Sequence, residues 1–130
     1  MLNYRGAPVS EDVRDVVDVL RYELNFLEQG GLERLGPEAS PFLSTMTCLN
    51  FDLPLRSHAC HECLLYDFVP QEARLNDNPC HFIPLNDKGA TIATLTGLGD
   101  QRLLRDEVGN WLRTKIAQIE SGAVPVSAEK

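Results

Sequence analysis

All four cysteines and all three histidines of the chain fall between Cys48 and His81. The cysteines are Cys48, the Cys60-His61-Glu62-Cys63 pair and Cys80, in the spacing Cys-x11-Cys-x2-Cys-x16-Cys. Thiolates bind soft and borderline metals, and a Cys-x2-Cys pair can chelate one ion from a single tight turn. Cys60 and Cys63 are read as that chelating turn. Cys48 and Cys80 each precede an aromatic residue and then an apolar-Pro-Leu end, as Leu53-Pro54-Leu55 and Ile83-Pro84-Leu85. They are therefore expected on two similar extended arms that meet at one point.

Two inorganic groups fit four thiolates. The first expectation is a closed, structural zinc site on Cys48, Cys60, Cys63 and Cys80, because four-thiolate zinc holds loop-rich regions together. The alternative is a four-iron (4Fe-4S) cluster, which also takes four cysteines and which single outlying cysteines can reach. For the cluster, Phe51, Leu64, Leu65 and Phe82 would supply an apolar shell. Against zinc, no glycine follows Cys60 or Cys63 as in zinc knuckles; against the cluster, no cysteine precedes a proline in the ferredoxin manner. A redox dithiol of thioredoxin type needs Cys-x2-Cys after a strand and opening a helix, whereas Pro70 soon interrupts whatever follows Cys63. A c-type haem needs histidine directly after Cys63, where Leu64 stands. Four unrelated thiols are the bland reading, since cysteine alone is a common core residue.

The histidines are expected beside the site. His61 and His81 each follow a cysteine, and alternation along an extended arm would turn His81 away if Cys80 faces the metal. His58, two residues before Cys60, is the best substitute ligand. His61-Glu62 are adjacent and so lack the His-x-Glu spacing of zinc deaminases. There is no Gly-rich phosphate loop and no nucleophile elbow, so the reading leans away from an enzyme without deciding the point.

The elements that must position these residues are two amphipathic helices and a hairpin. Ser10 is the expected cap of a helix over 11–29, followed by Glu11 and Asp12. Val13, Val16, Val17, Leu20, Leu24 and Leu27 give it one apolar face, and Val19, Tyr22 and Phe26 a second stripe. Gly30-Gly31 end it. Leu32–Leu35 make a short turn, and Phe42, Leu43 and Met46 anchor the connection that follows. Leu64–Val69 is short and aromatic and reads as a strand. Cys80–Leu85 and Ala90–Leu95 around Asn86-Asp87-Lys88-Gly89 read as a β-hairpin, with Pro84 confining its first strand to an edge. Asp100 is expected to cap a second helix with the stripe Leu104, Val108, Leu112, Ile116 and Ile119, and Gly109 to mark a bend or a close contact.

Composition bounds the rest. With 130 residues and a hydrophobic fraction of 43%, the chain is long enough to bury a core without cross-links. The net charge of −7 comes from residues 1–86, where 13 acidic side chains face 6 basic ones. That leaves no basic footprint for nucleic acid. No apolar run reaches signal-peptide or membrane-spanning length, so a soluble cytoplasmic protein without a membrane partner is expected.

These readings combine into one α+β domain over 1–122, two amphipathic helices flanking a small metal-stabilised layer with a hairpin, and a C-terminal tail over 123–130. The expected function is a small cytoplasmic metal-binding protein, structural zinc in four cysteines, working as a protein-interaction or accessory module. Its partner, another protein or a second copy, would dock on helix 11–29. The alternative is an iron–sulfur electron-transfer or redox-sensing protein, and a third reading is an enzyme subunit whose active site lies elsewhere.

Overall fold

The computed structural model describes residues 14–36, 38–51 and 59–122. Four α-helices follow one another as α1 (Val16–Glu28), α2 (Gly31–Leu35), α3 (Ile92–Leu98) and α4 (Gln101–Ser121). Between α2 and α3 run four single 3₁₀ turns, Cys60–Glu62, Leu64–Phe68, Gln71–Ala73 and Pro79–Phe82. Helix accounts for 60% of the described residues and strand for none. The expected α+β fold with a β-hairpin is therefore corrected to an all-helical one.

The reason lies in local capping. The turn at Asn86–Gly89 does form: Gly89 sits at φ 80°, and the Asn86 side-chain carbonyl accepts from Lys88 and Ala90 N–H. One ladder-like bond follows it, Leu85 N–H to Ala90 C=O at 2.7 Å. Pairing then stops, because Thr91 caps a helix. Its hydroxyl accepts from Thr94 N–H at 3.1 Å while the Thr94 hydroxyl accepts from Thr91 N–H at 2.9 Å. This reciprocal box outweighs the strand preference of a Thr/Ile run. Leu64–Phe68 likewise closes on itself in i+3 bonds instead of extending.

Helix α1 starts at Val16, with Asp15 as its cap accepting from Asp18 N–H. Ser10 and the expected first turn lie outside the described residues, as do Asp52–His58 and the tail over 123–130. Gly30 (φ 78°) ends α1, and α2 stops at Gly36 (φ 103°). Asp100 caps α4 through Leu103 N–H, and Gly122 closes it. α1 and α4 are antiparallel neighbours: Arg21 pairs with Glu120 and Glu28 with Arg113, so one sequence rises as the other falls, and Glu33 of α2 pairs with Arg105. These bridges are exposed and add little to stability. The joint is made by Val16, Val19, Leu20 and Leu27 against Leu104, Val108, Leu112 and Ile116.

The 3₁₀ region packs on this helix pair through Trp111. Phe68 meets the indole edge-on at 5.3 Å and Phe42 at 6.3 Å. Such contacts add about 0.5–1.5 kcal/mol each beyond the area they bury. Leu64, Leu65, Val69, Ile83 and Leu85 complete the core. Met46, expected as an anchor, is instead 65% exposed. No helix among the described residues is long and apolar enough to cross a membrane.

Two glycines should respond oppositely to alanine. At Gly109, inside α4, a Cβ would meet only the flexible Arg113 side chain at 3.5 Å. Gly109→Ala should therefore stabilise the protein by about 0.5–1 kcal/mol. At Gly31 a Cβ would run into the Phe26 ring, and Gly31→Ala should cost about 1–3 kcal/mol. Thermal melts followed by circular dichroism check both, and equal shifts of one sign would contradict this packing.

Candidate metal centre

The four cysteines arrive from three short turns. Cys60 opens the Cys60–Glu62 turn and Cys63 closes it, its N–H donating to Cys60 C=O at 3.0 Å. The next two residues, Leu64 and Leu65, are buried and fix that turn in the core. Cys80 sits in the Pro79–Phe82 turn, pinned by buried Pro79 before it and Ile83 after it. Cys48 lies in a run of tight turns, with its N–H to Thr45 C=O at 3.2 Å and its C=O accepting from Phe51 N–H at 3.0 Å. The expected extended arms at Cys48 and Cys80 are thus both replaced by turns.

None of the four is in a disulfide, and each is half-buried. They line one small cavity of about 30 Å³, whose remaining wall is mostly apolar, from Phe42, Leu43, Leu49 and Leu65. The thiols also feel one another. Burial pushes the Cys80 thiol far above its ordinary range, and the charges of Cys63, Cys48 and Cys60, in that order, push it further. Four thiolates can share this cavity only if a cation offsets their repulsion and their desolvation. Even so, among the described residues no three His, Cys, Asp or Glu side chains gather tightly enough to hold a single ion.

The histidines do not join the cysteines. His81 Nε2 is 3.2 Å from Pro41 C=O, which can only accept, so Nε2 carries the hydrogen. Burial lowers the His81 pKa, with the Pro41 bond opposing, so the ring stays neutral and ties the Cys80 turn to the loop before Cys48. His81 does turn aside, but through this bond and not through strand alternation. His61 is exposed and packs edge-on against Tyr66 at 6.3 Å. His58 lies outside the described residues. On one side the cavity shares Ala59, Cys60, Tyr66 and Pro79 with a wide polar cleft that opens to solvent. There Arg74 stacks over the Tyr66 ring at 4.8 Å.

Sequence reasoning missed Glu23. It is fully buried, and its carboxylate accepts three hydrogen bonds from the loop that leads to Cys48. The donors are Phe42 N–H at 3.0 Å, the Thr45 hydroxyl at 2.6 Å and the Thr47 hydroxyl at 2.7 Å. Arg14 adds bonds to Met46 and Thr47 C=O, each 2.9 Å. A signal was present: Glu23 follows Val16, Val19 and Leu20 and precedes Leu27 on the buried stripe of α1. A charge in such a stripe calls for buried partners.

Comparison with known proteins returns no match: no family model fits the chain, and no curated protein and no solved structure is similar to it.

Because His81 acts as a tie between loops, His81→Leu, which has no donor, should cost about 1 kcal/mol, the net value of one hydrogen bond. Exposed His61→Ala should stay within about 0.5 kcal/mol of the parent. Neither change should alter the metal content of protein purified without oxygen. Denaturant melts and metal analysis read both effects, and loss of metal in either variant would return that histidine to the ligand set.

Proposed function

We propose that Cys48, Cys60, Cys63 and Cys80 hold an iron–sulfur cluster of the four-iron kind, and that the protein carries or senses electrons through it. The observation that carries this reading is that four cysteines line one apolar-walled cavity while no single-ion group forms among the described residues. A closed zinc site, with Zn–S bonds of about 2.3 Å, needs its sulfurs within about 3.8 Å of one another. The four cysteines here show no such single-ion grouping among the described residues, and a cluster does not require one.

When bound, such a cluster supplies one-electron transfer at a potential set by net charge, hydrogen bonds to sulfur and solvent exposure. The chain's own residues do the rest. Phe42, Leu43, Leu49 and Leu65 keep water from most of the cavity, and the polar cleft beside Cys60 is the side on which electrons are exchanged. Four clustered cysteines outside any disulfide suit a reducing compartment, and we assign the protein to the cytoplasm on that ground. The proposed protein-partner surface narrows to Tyr22 and Met46, 43% and 65% exposed beside a shallow apolar hollow on α1; Phe26 is tucked against Gly31 instead.

Protein purified without oxygen should be brown, with a broad absorption band towards the blue and iron and sulfide in equal amounts. Cys63→Ser should abolish the colour while leaving the helical circular dichroism signal in place. A colourless protein with one zinc per chain would replace this reading by a structural site. A protein with neither metal at stoichiometric level would remove both.

A further inference from the structure

The four cysteines are not held alike. Cys60, Cys63 and Cys80 belong to turns locked by buried apolar neighbours: Leu64 and Leu65 after Cys63, Pro79 before Cys80, and Ile83 after it. The Leu64–Phe68 turn that follows Cys63 also packs directly on the Cys80 turn. Cys48 has no such lock. In the stretch Thr45–Phe51 the only buried side chains are Thr45 and Thr47, and Met46 and Phe51 are exposed. Both buried threonines end on one acceptor, Glu23 Oε1.

The other oxygen of that carboxylate carries a second load. Phe42 is a non-glycine residue at φ 70°, and its N–H donates to Glu23 Oε2. A bulky residue in the left-handed region is strained and persists only where its surroundings fix it. Here the fixing contacts are burial beside Trp111 and the bond to Glu23. Removing the carboxylate would release the strained corner at Phe42 and both threonine side chains together, leaving the Arg14 bonds to Met46 and Thr47 C=O as the remaining side-chain ties described just before Cys48.

We propose that the site is built as three fixed cysteines plus one releasable ligand, Cys48, and that Glu23 is the positioning residue that keeps Cys48 in place. The ligand role rests on the reading that the four cysteines hold a common cofactor. The latch itself is a property of the bare chain. A site of this kind can open one coordination position, to a small ligand or to an oxidant, without coming apart. That behaviour fits sensing better than simple electron carriage.

Two experiments test it. In cofactor-free, reduced protein, native alkylation with iodoacetamide followed by peptide mapping gives a rate for each thiol. Glu23→Gln keeps a single acceptor oxygen, so either Phe42 N–H or the two threonine hydroxyls lose their acceptor. It should raise the Cys48 rate by about tenfold or more and leave Cys60, Cys63 and Cys80 within about twofold. Thr45→Val should act in the same direction, and Thr45→Ser, which keeps the hydroxyl, should restore the parent pattern. If all four rates rise together, Glu23 is a general stabiliser and the latch is wrong; an unchanged Cys48 rate also sinks it. Should Glu23→Gln fail to fold, the Thr45 pair decides the matter.

The second experiment uses protein reconstituted anaerobically with iron and sulfide. Cys48→Ser should keep a coloured cluster with an altered paramagnetic resonance spectrum, and Glu23→Gln should give that same altered spectrum. Cys60→Ser, Cys63→Ser and Cys80→Ser should bleach. A Cys48→Ser protein that bleaches as completely as these would overturn the releasable-ligand assignment. If the parent protein takes up no cluster, the four-cysteine reading fails and the ligand role of Cys48 fails with it, while the alkylation pattern still judges the latch.

Discussion

A single carboxylate carries much of the order around the cysteines. Glu23 sits in the middle of α1 on the stripe that packs against α4, a position where an apolar side chain would be expected. It is fully buried, and three donors from one loop converge on it. Burying a charge is costly unless hydrogen bonds replace the lost water, and here a backbone N–H and two hydroxyls do so. The same bonds define the path from Pro41 to Cys48, a segment without regular secondary structure and with few buried apolar groups. The most regular element of the fold thereby dictates the conformation of its least regular one.

The remaining cysteines depend on apolar packing. Between Cys60 and Ile83 the chain makes four 3₁₀ turns, each too short to be stable alone, and they gain their stability by burying Leu64, Leu65, Val69 and Ile83. Trp111 of α4, flanked by Phe42 and Phe68, joins both halves of the site to the helix pair. The cavity lined by the four cysteines lies where the Glu23-held loop and these turns meet. His81, donating to Pro41 C=O, ties the two halves together directly.

How far the sequence could be read depended on which force decided each segment. The α4 stripe and its Asp100 cap were legible, because periodicity and a capping side chain agree there. The stop at Gly30 and the turn at Asn86–Gly89 were legible for the same reason, each resting on a residue that tolerates positive φ or bonds its own backbone. Ala90–Leu95 was misread as a strand because its Thr and Ile residues favour strands on average, whereas the Thr91–Thr94 box acts locally and wins. Leu64–Val69 and the two arms were misread because a short apolar run does not distinguish an extended segment from a turn closed by i+3 bonds. That the cysteines share a region was plain from their spacing. That Glu23 governs one of them was not, since its partners at Phe42, Thr45 and Thr47 lie some twenty residues away and carry no motif.

What the four sulfurs surround decides between a cluster and a structural ion. X-ray absorption at the iron and zinc edges of protein isolated without oxygen measures this most directly. A cluster held by Cys48, Cys60, Cys63 and Cys80 predicts iron in a sulfur shell with a clear iron–iron scattering contribution, and zinc near background. Zinc in a shell of four sulfurs with no metal–metal contribution would contradict it and return the site to a structural role.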